Sequence, residues 1–312
     1  RVGVTRRGDE PRANVEVDTS AWPVVDLVVN DAQSAVVAPF VGLRDRPLRE
    51  RGGADWPHGR FLVEGDVVVA RALAAGHRLL SLLIEQGRRR PLPDGVAAAR
   101  AAGAQVIGAG PGLVLAITGS ATHSGCLGLF ARPAPADPAN VVVGRRSVVV
   151  TEGVANPVNL GLIARSAVAM GAEALLLDPS SADPLYRRSS RVSMGEVFAV
   201  PHARVEQLPG GLDPLTAAGF EVWALTPERD AVDIAHLQVG PDAPVALLVG
   251  SEGPGLSAAS LAAAHRRVRI PVSGGVDSLN VGAAAAVAAY ALGRARTHAP
   301  EAETGGTGRR EG

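Results

Sequence analysis

The C-terminal half of the chain keeps returning to one design: an apolar run rich in β-branched residues, then a glycine-containing turn, then a helical pattern. It is carried by "SVVVTEGVANPVNLGLIARSAVAMGAEALLL", "FEVWALTP", "PVALLVGSEGPGLSAASLAAAH" and "VRIPVSGGVDSLNVGAAAAVAAYALG". A strand with one wet face alternates apolar and polar residues. Runs this uniformly apolar instead fit a parallel sheet covered by helices on both faces. Sheets of that kind bind ligands at the carboxyl ends of their strands, so the glycine turns are where a site is expected.

The 312 residues suffice for two ordinary domains, and a 46% apolar content supports a sizeable core. A first block, "DLVVNDAQSAVVAPFVGL", "GRFLVEGDVVVARALAAGHRLLSLLIEQ", "VAAARAAGAQVIGAG" and "CLGLFARP", alternates strands and helices and reads as a small α/β unit over 21–135. The proline-rich "ARPAPADPANVVVGRR" has the composition of a linker, placed at 136–144, and a second domain is expected over 145–296. Residues 1–20 and 297–312 are polar and patternless and are expected to be disordered tails.

The 31 cationic and 31 acidic side chains balance, which argues against a strongly basic nucleic-acid-binding arm. Every cation is arginine, the residue suited to bidentate phosphate contacts. The single cysteine, Cys126, excludes an internal disulfide, and with His123 alone it cannot complete a zinc site. The other histidines lack metal spacing, so no metal is expected, and His123 with Ser124 lacks a G-x-S-x-G context. No apolar stretch has the length of a membrane span and "RVGVTRRGDEPRANVE" is charged, unlike a signal peptide, so a cytoplasmic protein is expected.

Four places carry chemistry. In "NPVNLGLIARSAVAMG", Asn159 falls near a helix start, and Arg165 is the one charge in a helix otherwise apolar on every side. The plain alternatives are an N-cap and a snorkelling cation. In "PVALLVGSEGPGLSAASLAAAH", Glu252 is the sole charge and follows a buried strand. The glycines at 250, 253 and 255 allow close approach to the backbone, with neither a P-loop nor a G-x-G-x-x-G pattern. The plain alternative for Glu252 is to stabilise a helix N-terminus. In "IPVSGGVDSLNVGAAAAVAAY", Asp277 or Ser278 suffices as an N-cap, but Asn280 inside a first helical turn is unfavourable and asks for a reason. In "DPLYRRSSRVSMGEVFAVP", Arg187, Arg188 and Arg191 cluster, as a solvated face or a phosphate-binding patch.

In order, "NPVNLGLIARSA", "LLVGSEGPGLS" and "IPVSGGVDSLNVGAAAA" resemble the three motifs of the SpoU (TrmH-like) family of SPOUT-class RNA 2′-O-ribose methyltransferases, over residues 145–295. "GRFLVEGDVVVARALAAG" resembles that family's ribosomal-protein-like substrate-binding extension. The resemblance implies an α/β fold: a parallel-sheet domain tied in a trefoil knot, behind a small RNA-holding domain, in a homodimer whose two subunits build each active site. It implies S-adenosylmethionine as cofactor, against Gly250, Ile270, Ser278 and Leu279. Asn159, Arg165, Glu252, Ser278 and Asn280 fall at the family's functional positions, and Arg187, Arg188 and Arg191 are expected to bind RNA. Ser166 stands where Thr is frequent, which keeps the hydroxyl, and Asp277 stands at a variable position.

By the same resemblance the substrate is ribosomal RNA in preference to tRNA, with a catalytically inactive RNA-binding module as the competing class. A nicotinamide oxidoreductase lacks its G-x-G-x-x-G fingerprint here. Because a guanidinium holds its proton to a pKa above about 12, Arg165 is expected to clamp phosphate and steady a developing alkoxide rather than act as a base. Glu252 is expected to fix Arg165 or the turn.

Overall fold

A computed structural model describes residues 25–119, 125–273 and 278–297. His123, Ser124, Asp277 and residues 1–20 and 298–312 of the tails lie outside the described residues, while Thr297, expected in the C-terminal tail, closes the last helix.

The first unit runs β1 (Leu27–Val29), α1 (Asp45–Glu50), β2 (Arg60–Glu64), α2 (Asp66–Ala74), β3 (Leu79–Glu85), α3 (Val96–Ala101), β4 (Gln105–Ala109), α4 (Pro111–Thr118) and β5 (Cys126–Ala131). Its sheet has the order β1-β4-β3-β5-β2, with β4 parallel to both neighbours and β5 antiparallel to both of its own.

The proline-rich stretch that follows is not an extended linker. Pro138–Val142 form helix α5, because the Asp137 carboxylate accepts the Ala139 amide at 2.9 Å and Pro138 presets the first turn. Val141 and Val142 are then buried beneath the second sheet with Val148, Leu176 and Leu215.

The second unit runs β6 (Ser147–Glu152), α6 (Pro157–Ala169), β7 (Ala174–Leu177), α7 (Arg187–Val192), β8 (His202–Arg204), α8 (Asp213–Ala217), β9 (Glu221–Leu225), β10 (Val232–Asp233), β11 (Val245–Gly250), α9 (Ala258–Ala263), β12 (Arg266–Arg269) and α10 (Val281–Thr297). Every pairing in its seven-stranded sheet, β10-β12-β9-β11-β6-β7-β8, is parallel. The uniformly apolar runs have their expected cause. Val149 of β6 and Leu247 of β11 pack on one face with Leu160 and Ile163 of α6 and Ala285 and Ala288 of α10. Val148, Val150 and Leu248 pack on the other face with α5 and α8. Small residues draw α6 and α10 together: a Cβ on Gly282 would sit 2.7 Å from the Leu162 Cβ.

The two units share a buried interface. Glu64, at the end of β2 and 4% exposed, pairs with Arg187 and with Arg191, the latter at 3.2 Å. Asp183, 2% exposed, pairs with Arg132 at 2.7 Å and Arg49 at 3.3 Å. Burial raises the Asp183 pKa, but Arg132 foremost and then Arg49 more than offset it, so the carboxyl stays below its ordinary range. Around these pairs Phe61, His77 and Phe198 pack ring to ring. Burial among them pushes His77 down to about 4, so it is neutral at physiological pH. No helix of the described residues is long and apolar enough to cross a membrane.

Candidate active site

The site opens at the carboxyl ends of β9, β11 and β12, as parallel-sheet geometry requires. There a cleft of about 700 Å³ is walled by Leu225 and Thr226 after β9, by Val249 to Gly253 and Gly255 after β11, by Val268 to Val272 around β12, and by Ser278 to Val281 leading into α10. Gly250, Ile270, Ser278 and Leu279 all line it, together with Glu252 and Asn280. The floor needs its glycine. A Cβ at Gly250 would lie 2.3 Å from the Gly255 carbonyl carbon, because the chain folds back through the Ser251–Gly255 bridge.

Two helix starts converge on the rim. α6 is capped by Asn156, whose Oδ1 accepts the Val158 amide at 2.9 Å. Asn159 is therefore released from capping and is buried on the inner side of the first turn. α10 is capped by Asn280, whose Oδ1 accepts the Gly282 amide at 2.9 Å. Asn280 thus precedes the helix rather than sitting inside its first turn, and this removes the propensity conflict expected from sequence. Its Nδ2 then donates to Glu252 Oε1 at 2.7 Å and to Asn159 Oδ1 at 3.1 Å. One amide thereby joins all three motifs.

Of the two roles expected for Glu252, the contact with Arg165 is absent among the described residues, and Glu252 instead ties its own turn to Asn280 at the start of α10; α9 takes its cap from Ser257. Arg165 is exposed on the one face that α6 does not bury, outside the cleft, with no hydrogen bond or ion pair among the described residues. The arginine cluster is also not a free patch. Arg187 and Arg191 hold Glu64, and exposed Arg188 makes no hydrogen bond or close ion pair among the described residues, acting on Asp45 only through its charge.

One supporting residue escaped sequence reasoning. Glu152, buried at the end of β6, accepts the Ser257 amide at 3.0 Å and the hydroxyls of Ser257 at 2.8 Å and Ser260 at 2.9 Å. It anchors the far end of the 251–257 turn. Its signal was a lone acid closing the apolar run "SVVVTEG". No group of His, Cys, Asp or Glu is arranged to hold a metal among the described residues. The Cys126 thiol is driven far above its ordinary pKa by burial first, with the neighbouring Asp66 adding to it.

The fork makes a stability prediction. Asn280→Ser keeps a capping oxygen but loses the amide bonds to Glu252 and Asn159, and should cost about 1–3 kcal/mol. Asn280→Asp also keeps the cap but sets a second carboxylate against Glu252, so it should cost about 1 kcal/mol more at pH 7. That excess should vanish when both variants are melted below pH 4. Equal melting temperatures at both pH values would show that Asn280 and Glu252 do not interact.

Known proteins resemble this chain along most of its length. The model of the SpoU rRNA Methylase family matches residues 146–290. An uncharacterized tRNA/rRNA methyltransferase of Mycobacterium tuberculosis is 40% identical over 247 residues, spanning 78% of this chain and 85% of the relative. The 23S rRNA guanosine 2′-O-methyltransferase RlmP of Bacillus subtilis is 33% identical over 147 residues, 47% of this chain and 58% of its own. Among solved structures, the AdoMet-bound rRNA methyltransferase of Sinorhizobium meliloti matches with a TM-score of 0.73 at 27% identity, covering 86% of this chain and 98% of that one. The SpoU methyltransferase AviRb of Streptomyces viridochromogenes, in complex with AdoMet, matches at 0.70 with 26% identity, covering 86% and 100%. With three motifs meeting at one rim and relatives aligned across most of its length, this chain belongs to the SpoU rRNA methylase family of RNA methyltransferases.

Proposed function

We propose that the cleft binds S-adenosylmethionine and that the protein methylates a ribose 2′ oxygen in structured RNA, ribosomal RNA in preference to tRNA, in the cytoplasm. The observation that carries this reading is the fork itself. Asn159, Glu252 and Asn280, drawn from three separate motifs, meet at the rim of a cleft lined by Gly250, Ile270, Ser278 and Leu279. The residues suit the group. Leu225, Val249, Val268 and Leu279 offer apolar surface to an adenine, and the Gly250 turn leaves room for close backbone contact. Glu252 brings negative charge to the cleft, which would complement a sulfonium.

Bound there, the cofactor supplies an electrophilic methyl group. Everything else falls to the chain: aligning the ribose oxygen in line with that methyl, and helping it lose its proton. Ser278 at the cleft and the Asn159–Asn280 pair at its rim orient the ribose. Arg165 holds the adjacent phosphate and stabilises the charge developing on the 2′ oxygen.

Arg165 lies outside its own protomer's cleft, so this role calls for a twofold homodimer. Exposed apolar side chains on both helices support one: Val158 and the C-cap Met170 of α6, and Val287 and Tyr290 of α10. Pairing them would bury that apolar surface and carry Arg165 to the partner's cleft. The knot belongs to the same reading. The return of the chain after β12 to pack α10 against α6 supports that part of the reading. The first unit would hold the RNA.

The test uses the product's chemistry. A methylated 2′ oxygen cannot attack the neighbouring phosphodiester, so ribosomal RNA treated with protein and S-adenosylmethionine should resist alkaline cleavage after one nucleotide. Protection of tRNA instead would reverse the choice of RNA. RNA binding with no protected nucleotide would favour the inactive binding module.

A further inference from the structure

We propose that Arg229 receives the carboxylate of the cofactor and so makes the cleft selective for adenosine ligands that carry an amino acid. The assignment rests on the cleft being the S-adenosylmethionine site. Arg229 lies between β9 and β10 and lines the cleft. The two acids that bracket it turn elsewhere: Glu228 accepts from Arg267 Nη1 at 3.0 Å and Asp230 from Arg267 Nη2 at 2.8 Å. With both adjacent carboxylates held by a third residue, Arg229 is exposed and makes no hydrogen bond or ion pair among the described residues. The other cation in the wall, Arg269, already faces Asp233 at 3.8 Å.

The Asn280 amide is already committed. Both N–H groups of the Asn280 amide go to Glu252 and Asn159, so that side chain has none left for a ligand oxygen. Among the described residues, the cleft therefore presents one unpaired cation, Arg229, and one acid, Glu252. A zwitterionic amino-acid tail bearing a sulfonium complements that pattern. A guanidinium can take a carboxylate through two parallel N–H bonds, which fixes its orientation as well as its charge.

Calorimetry with three probes tests this. S-adenosylmethionine and S-adenosylhomocysteine carry the carboxylate; 5′-methylthioadenosine keeps the adenosine and sulfur without it. Arg229→Ala should weaken the first two by about 10- to 100-fold, the range for a charge-assisted hydrogen bond. It should leave 5′-methylthioadenosine unchanged, and Arg229→Lys should recover part of the loss. Equal weakening of all three probes, or unchanged affinity for all three, overturns the assignment. Unchanged cofactor affinity with weaker, less salt-dependent RNA binding would also overturn it, making Arg229 a phosphate contact instead. Native protein that binds S-adenosylmethionine separates these failures from failure of the cofactor reading; native protein that binds none of the three overturns both.

Discussion

Arg165→Ala should lower methyl transfer by about 10²- to 10³-fold, the loss typical of removing one donor to a developing oxyanion, and leave S-adenosylmethionine affinity unchanged. The split follows from position. Arg165 is exposed on α6 and contributes nothing to the wall of its own cleft, so the cofactor site is complete without it. Its exposure also means that truncation creates no cavity, so melting temperature should stay close to native. Arg165→Lys keeps the charge but loses the two-pronged geometry and should recover only a small part of the rate. A sharper form of the experiment mixes two defective proteins. Arg165→Ala retains an intact cleft, and Leu279→Trp retains Arg165 while filling the cleft that Leu279 lines. If Arg165 acts across a dimer, mixed dimers hold one site with both parts, and activity should return on mixing. Two inactive proteins that stay inactive when mixed, under conditions where subunits exchange, would mean that Arg165 serves its own protomer.

Glu64→Ala should destabilise the protein by about 3 kcal/mol, at the lower end of the range for breaking a buried ion pair. Its two partners do not contribute equally. The Arg187 side chain is 15% exposed and would be left as an uncompensated cation, whereas that of Arg191 is 52% exposed and can turn to water at little cost. The paired variant Glu64→Leu with Arg187→Met should recover most of the loss, because an apolar pair does not leave a buried charge unmatched. Function should respond in a distinctive way. The pair joins β2 of the first unit to α7 of the second, so KM for RNA should rise while cofactor affinity holds. Native-like melting of Glu64→Ala would mean that the Phe61, His77 and Phe198 packing holds the two units together unaided.

The fate of Arg187 illustrates where sequence reading stops. From "LYRRSSR" alone, three arginines close together make a solvated or phosphate-binding cluster with equal ease. Nothing local announces that a glutamate 123 residues earlier will occupy one of them. The helix caps carry the same lesson at shorter range. The sequence offers Asn159 as a cap in "NPVNLG" and Asp277 or Ser278 in "DSLNVG", with Asn280 inside the first turn. The structure caps α6 with Asn156 and α10 with Asn280, which frees Asn159 and turns Asn280 into the junction of the site. The proline-rich stretch misled for a related reason. Proline disfavours a helix interior but suits its first turn, and Asp137 before Pro138 starts one.

What the sequence determined by itself is what short segments encode: the parallel sheet from runs apolar on both faces, the turn at Gly250 where no Cβ fits, and three ordered motifs at strand ends. These depend on periodicity and backbone sterics, which act within a few residues of chain. Only the tertiary structure decided which polar groups are already engaged. Asn280 is committed to Asn159 and Glu252, Arg187 to Glu64, and Glu228 and Asp230 to Arg267, while Arg165 and Arg229 are left free among the described residues. Whether a charge or an amide remains available for chemistry depends on its neighbours in space, and hydrogen bonds and ion pairs act over ångströms with no regard to distance along the chain.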